Sequence, residues 1–256
     1  MPRPRKREIV GTGVSITDYE EVCGEIDRAT AARDRIFICC APASTLIFAR
    51  RDHALASALG AADIVTPDGM GVVYAARLLG ETLGDRVYGP ELMERQCSRA
   101  AAAGQRVWLY GGTDVAALTV LREALAVKYP GLTIAGSWSP PHRELTADET
   151  DEIVARINSD DPDIVWVGVG SPKQELWMHG LRDRLDAPVL IGVGAAFDFH
   201  AGLVSQAPGW VQRRGLEWLY RMASDPRRLV RRYLTTLPLF VALVLAQTLR
   251  QRLRRH

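Results

Sequence analysis

The sequence predicts an α/β fold, a doubly wound parallel sheet with a basic, amphipathic helical appendage at its C-terminal end. Three observations predict it. Short apolar runs alternate with stretches of helical periodicity from about residue 36 to about residue 204. Several of these runs end on glycine: Ala62-Asp63-Ile64-Val65 leads into Thr66-Pro67-Asp68-Gly69, Val107-Trp108-Leu109-Tyr110 into Gly111-Gly112, and Ile164-Val165-Trp166-Val167 into Gly168-Val169-Gly170. Beyond Gln206 the alternation stops and arginine pairs interleave with apolar residues.

Each element has a local reason. Ile36 to Cys40 is rich in β-branched and aromatic residues and reads as a buried strand ended by Ala41-Pro42. Ser44 to Leu59 carries apolar residues at helical spacing, with Ser44 as its N-cap. Ile64-Val65 is the second strand and Gly69 to Leu79 the helix after it. Pro90 to Ala103 is a helix stopped by Gly104, a favourable C′ residue. Val107 to Tyr110 reads as strand, Thr113 to Tyr129 as helix and Leu132 to Ile134 as strand. Thr146-Ala147-Asp148-Glu149 fits a capping box opening a helix to about Asn158. Ile164 to Val167 and Val189 to Ile191 are apolar runs typical of a sheet covered on both faces, with a helix from Lys173 to Leu185 between them. The pattern is that of a Rossmann-like sheet.

Three segments follow: a lead-in over 1–34, the α/β domain over 35–204 and a helical appendage over 205–256. In the appendage Trp210 to Ser224 is amphipathic, Asp225-Pro226 punctuates it, and the apolar run Leu237 to Ala246 follows. That run is shorter than the roughly 20 residues needed to cross a bilayer. Residues 205–256 hold eleven arginines against Glu217 and Asp225, a net +9, leaving 21 basic and 28 acidic groups, a net −7, in residues 1–204. A basic tail on an acidic body calls for an anionic partner. Arginines flanking a short apolar helix suit a membrane surface of anionic lipid; the alternative is packing on a partner subunit as a homo-oligomer. Nucleic acid is not among the expected partners. The four cysteines, Cys23, Cys39, Cys40 and Cys97, have no C-x-x-C spacing and read as reduced thiols. With no apolar h-region after the basic start, the chemistry is expected in the cytoplasm.

The strand exits carry the candidate chemistry, because ligands bind at the carboxyl edge of open parallel sheets. Asp68 is either a general base or a cap on the following helix. Arg86, shortly before a helix start, suits phosphate oxygens. The glycines of Gly168-Val169-Gly170-Ser171-Pro172 let a ligand approach the backbone, and Lys173 and Gln174 either bind phosphate or sugar hydroxyls or are solvated first-turn residues. Asp198, between Phe197 and Phe199, needs a partner if buried, either a ribose or base or a loop. The lone D-x-D, Asp161-Pro162-Asp163, precedes a strand and falls at the opposite edge, and His53, His142, His179, His200 and His256 have no ligand spacing, so no metal site and no cofactor are expected. A nucleotide-dependent oxidoreductase would need G-x-G-x-x-G after the first strand and an acid about 20 residues on; neither occurs.

Taken together, the stretches 62–72, Arg86-Val87-Tyr88-Gly89, 107–112, 168–175, Gly194-Ala195-Ala196-Phe197-Asp198, Ala207-Pro208-Gly209-Trp210 and Gly215-Leu216-Glu217-Trp218-Leu219-Tyr220-Arg221 resemble the WecG/TagA/CpsF family of glycosyltransferases (glycosyltransferase family 26) over residues 35–235. The resemblance implies an inverting, metal-independent transfer from a UDP-sugar donor to a polyprenyl-diphosphate-linked saccharide on the cytoplasmic membrane face. Asp68 then matches the proposed general base, and Arg86 and Gln174 match pocket residues that hold the donor. Thr66, Gly69, Gly111, Gly112, Gly168, Gly170, Lys173 and Asp198 line the same expected pocket, and Arg221, Arg228 and Arg231 fall where the family's appendage meets diphosphates. One departure stands out. Family members usually carry Thr-x-Asn at the end of the first pocket strand, where this chain has Cys40 and Pro42. The resemblance therefore leaves a degenerate, membrane-associated nucleotide-sugar-binding protein as the alternative.

Overall fold

The structure, a computed structural model, describes residues 3–209, 211, 214–224 and 226–254. Its centre is a parallel sheet of six strands: β3 (Ile36–Ala41), β4 (Ile64–Pro67), β5 (Arg106–Gly111), β6 (Thr133–Trp138), β7 (Ile164–Gly168) and β8 (Val189–Gly192), in the order β4-β3-β8-β7-β5-β6. The β3–β4 pair steps outward on one side and β5–β6 on the other, while β7 and β8 fill the middle. Such a reversal of direction opens a crevice at the carboxyl ends of the strands.

Side chains alternate across the sheet, as the two-residue period of a strand requires. Phe37, Cys39, Val65, Trp108, Val165 and Leu190 face one layer, made of α2 (Ala43–Ala49), α3 (His53–Ala61), α4 (Met70–Leu78), α7 (Ala147–Ser159) and α8 (Lys173–Leu181). Ile36, Ile38, Ile64, Leu109, Trp166 and Ile191 face the other, made of α1 (Tyr19–Ala32), α5 (Gly89–Ala103), α6 (Val115–Lys128) and the short α9 (Ala196–His200). Both layers are closed, which explains why the strands read as continuous apolar runs. The sheet is parallel with helices on both faces, as the sequence predicts.

Caps account for many of the helix starts. Asp18 accepts from the Glu21 amide, Asp114 from that of Ala117, and Thr146 with Glu149 completes the expected capping box. One expectation is corrected. The stretch Ser44–Leu59 is two helices broken at Arg50–Asp52; Pro42 holds the first N-cap position, and Asp52 accepts from the amides of Ala54 and Leu55 to start the second. Ser44 is free of capping duty and accepts from Arg232 instead, at 2.8 Å.

The first residues contain elements that no local pattern announces. A hairpin of β1 (Lys6–Ile9) and β2 (Thr12–Ser15) precedes α1. It holds the end of the C-terminal helix: the Gln247 amide accepts from Val10 N–H and donates to the Glu8 carbonyl, and Arg7 donates to Gln251.

The appendage consists of α10 (Glu217–Ser224) and α11 (Pro226–Leu253). Of the expected helix over 210–224, Trp210, Gln212 and Arg213 lie outside the described residues, Val211 is helical, a turn follows at Arg214 and Gly215, and α10 covers the rest from Glu217. The apolar run Leu237–Ala246 is the middle of a longer helix. Helix α11 is continuous through Pro238, and over Leu229–Leu253 it is long and apolar enough to cross a bilayer by length and composition. Here it lies along the α/β body, packing Phe240 and Val244 into the core layer of α2 and α4.

Candidate active site

At the end of β4 the chain turns sharply through Asp68 and Gly69. Gly69, with φ +98°, occupies the N-cap position of α4, so Asp68 stands one residue before the cap. The neighbouring segment is laced to this turn: the Thr66 hydroxyl donates to the Val87 carbonyl at 3.0 Å and the Val87 amide to the Pro67 carbonyl at 3.1 Å. Thr66 is thus a buried brace that brings Arg86 to Asp68.

Arg86 is buried. Its guanidinium lies over the Tyr88 ring at 4.2 Å and forms an ion pair with Glu217 at the start of α10. Burial opposes its charge, but the carboxylate of Glu217, with Asp68 behind it, outweighs that and leaves its pKa above the ordinary arginine value. The Cys40 thiol lies beneath, bonded to Thr66; burial first, then the Asp68 charge, pushes its pKa up, so it stays a neutral thiol.

Two cavities open along this edge. The first, about 810 Å³, has Pro42, Ser44, Asp68, Gly69, Arg86, Tyr88 and Glu217 at one end and an almost wholly apolar remainder between α4 and α11. The second, about 670 Å³, is more polar and is lined by Tyr110, Gly112, Thr113, Gly168, Gly170, Lys173, Trp177 and Asp198, with His142 and Arg143 on the loop above. Tyr110 and Trp177 stack at 4.0 Å in its wall. The Asp198 carboxylate accepts from Thr113 at 3.3 Å.

The glycines have separate reasons. A Cβ on Gly111 would lie 2.6 Å from the Gly168 carbonyl, and one on Gly168 2.6 Å from the Phe197 ring. These two let strand ends and α9 close upon one another, whereas Gly112 and Gly170 face the second cavity. Gln174 is buried below it, with Oε1 accepting from the Gly194 amide at 2.9 Å and Nε2 donating to Glu175 at 3.1 Å.

Sequence reasoning therefore picked out residues that divide between two cavities on one edge. Pro42, Asp68, Gly69 and Arg86 line the first; Gly112, Gly168, Gly170, Lys173 and Asp198 line the second; Cys40, Thr66, Gly111 and Gln174 support them from beneath. Arg231 is exposed on α11, and the side chains of Arg221 and Arg228 lie outside the described residues. Asp161-Pro162-Asp163 sits at the opposite edge, where Arg33 pairs with both acids. Among the described residues no His, Cys, Asp and Glu cluster has metal-binding geometry.

Sequence reasoning missed three contributors. Glu217 was legible only as one of two acids in a basic tail and as part of the matching stretch 215–221, with no role given to it. Arg232, not singled out beside Arg231, donates to Ser44 and lies over the Phe48 ring. Trp177 sits one turn after Lys173, on the same helix face.

An α/β sheet with an acid and a cation at its carboxyl edge, beside a second polar cavity, has the form of a group-transfer enzyme. The model of the WecG/TagA/CpsF glycosyl transferase family matches residues 7–254, and the chain belongs to that family: it is a glycosyltransferase. An N-acetylglucosaminyldiphosphoundecaprenol N-acetyl-β-D-mannosaminyltransferase of Bacillus spizizenii is 34% identical over 188 residues, 73% of this chain and 70% of the relative. One of the same name from Staphylococcus aureus strain MW2 is 31% identical over 214 residues, covering 83% and 81%.

Proposed function

We propose that the protein is an inverting, metal-independent glycosyltransferase that moves a hexose from a UDP-sugar to a polyprenyl-diphosphate-linked saccharide at the inner face of the cell membrane, in the making of a cell-envelope polysaccharide or teichoic acid. N-acetylmannosamine, glucose and a uronic acid are the candidate sugars. The observation that carries this reading is the meeting of Asp68 and Arg86 at the mouth of a cavity that is polar at one end and apolar along the rest. The acceptor in the relatives' names, an N-acetylglucosaminyl group on diphosphoundecaprenol, has that same division.

In this reading the UDP moiety occupies the second cavity, with its base against the Tyr110 and Trp177 wall and its diphosphate near the amides of the 168–170 loop and Lys173. The acceptor enters the first cavity. Asp68 takes the proton from its hydroxyl as the oxygen attacks the anomeric carbon, and UDP departs from the opposite face, so configuration inverts. Arg86 and the loop amides balance the negative charge that develops on the leaving diphosphate, the work a cation does elsewhere.

Release of UDP from a panel of UDP-sugars, measured with a synthetic polyprenyl-diphosphate-linked sugar and a chelator, tests the reading. Acceptor-dependent release from one donor is expected. Donor binding without release under any acceptor would favour the degenerate, non-catalytic alternative that Cys40 and Pro42 raise.

A further inference from the structure

The apolar part of the first cavity is larger than a sugar acceptor needs and is built differently from the rest of the site. It runs between two helices that do not close on one another: Tyr74, Ala75 and Leu78 of α4 form one wall, Leu237, Val241 and Leu245 of α11 the other. Leu78, Val241 and Leu245 are more than half exposed. Large apolar side chains flanking an open channel mark a binding surface rather than a finished core. The channel is continuous with the Asp68 and Arg86 end, so its occupant must be amphiphilic, with its polar end inward.

We propose that this channel holds the head-proximal isoprene units of the lipid-linked acceptor; the proposal rests on the transferase reading above. The order of side chains along α11 supports one direction for the chain. Arg231 and Arg232 come first, Arg232 reaching Ser44 at the cavity's polar end. Leu237, Val241 and Leu245 follow, and exposed Leu249 and Leu253 continue the apolar stripe beyond the channel. Cation, then apolar wall, then open stripe repeats the order of diphosphate, first isoprenes and remaining chain along the acceptor. From Leu237 to Leu245 the helix rises about 12 Å, so the channel takes the first part of the lipid and leaves the remainder to the bilayer. An acyl lipid of the bilayer also has a charged head and an apolar tail, but a pair of straight chains is broader than a channel one helix-to-helix gap wide.

The test is binding, read by titration calorimetry in detergent-free buffer with no sugar donor. Methyl, dimethylallyl, geranyl and farnesyl diphosphate are compared on the full chain. Affinity is expected to rise by about tenfold or more for each added isoprene unit that enters the channel. Val241→Asp and Leu245→Asp, both at exposed positions, are expected to remove that gain, while Leu253→Asp, beyond the channel, keeps it. Equal affinity for methyl and farnesyl diphosphate would overturn the proposal, as would a chain-length gain that survives Val241→Asp. Dioctanoyl phosphatidylglycerol binding as tightly as farnesyl diphosphate would make the channel a bilayer contact and overturn it too. Because no transfer is measured, failure of the transferase reading would appear separately, as absent UDP release with isoprenoid binding intact.

Discussion

At the scale of the residue, the site is decided by where the fold sets its polar groups. Asp68 stands one residue before the cap position of α4, which Gly69 takes with φ +98°. Asp68→Asn keeps size and hydrogen-bonding capacity but cannot accept the acceptor's proton; transfer should fall about 10²–10⁴-fold with the melting temperature unchanged. Turnover equal to the parent enzyme would remove Asp68 from the mechanism. Glu175 lies deeper. It is fully buried against Gln174 and Ser171, and desolvation holds its pKa above the ordinary 4.5 despite those hydrogen bonds. An acid raised in this way binds more protons folded than unfolded, so stability falls as pH climbs from about 4.5 through the raised value. Glu175→Gln removes that titration. Its melting temperature relative to the parent should therefore rise between pH 4 and pH 8, by about 2–4 °C for each kcal/mol recovered. A difference independent of pH would show that Glu175 is not the titrating group. Asp68 was legible in the sequence because strand, glycine and helix lie within a few residues of it. Glu175 was not, since its burial follows from the packing of α8 against β3, which no local pattern records.

At the scale of the element, α10 and the β4 exit are joined by the Arg86–Glu217 pair, with both side chains about nine-tenths buried. Removing one member of such a pair leaves an uncompensated charge and costs about 3–5 kcal/mol. Glu217→Ala should thus lower the melting temperature and let Arg86 turn away from Asp68. Glu217→Gln loses the charge but keeps a hydrogen bond, so it should hold Arg86 in place while recovering only part of the stability. A melting curve for each, with kcat and KM, separates loss of folding from loss of Arg86 placement: comparable losses in the two variants would mean the carboxylate's charge, not its hydrogen bond, sets the position. The strands and most helices were readable, since their apolar runs, caps and glycine stops are local. The break between α2 and α3 was not, because Arg50 and Arg51 suit a helix and only Asp52, accepting from two amides, ends the ambiguity. The β1–β2 hairpin escaped for a similar reason. Its strands are four residues each, one charged at three of its four positions and the other small and polar around a single valine, so neither shows a strand's period, and its grip on Gln247 and Gln251 depends on contacts more than 230 residues away.

At the scale of the whole molecule, an acidic body of net −7 carries a tail of net +9, and the tail's helix is amphipathic in an unusual way. One side, through Phe240 and Val244, belongs to the core; the other presents Leu234, Val241, Leu245, Leu249 and Leu253 outward, with Arg250, Arg252 and Arg254 at its end. Under the proposed membrane reading, a helix anchored to the body by one face and apolar on the other would rest the enzyme on a membrane without leaving its place, and the open channel between α4 and α11 would then face the lipid. Truncating residues 227–256 would test this poorly, because it also strips Phe240 and Val244 from the core. Arg250→Gln, Arg252→Gln and Arg254→Gln together leave the core intact. At about 1 kcal/mol for each basic residue near an anionic surface, the triple variant should bind phosphatidylglycerol vesicles about 10²-fold more weakly at low salt, with little change on neutral phosphatidylcholine vesicles. Leu249→Ser with Leu253→Ser should weaken binding to both kinds, since it removes buried apolar area rather than charge. Vesicle binding by sedimentation would check both. If the triple variant bound anionic vesicles as the parent does, the tail's charge would answer to some partner other than the lipid surface, and the apolar stripe would then fit a second copy of the chain better than a bilayer.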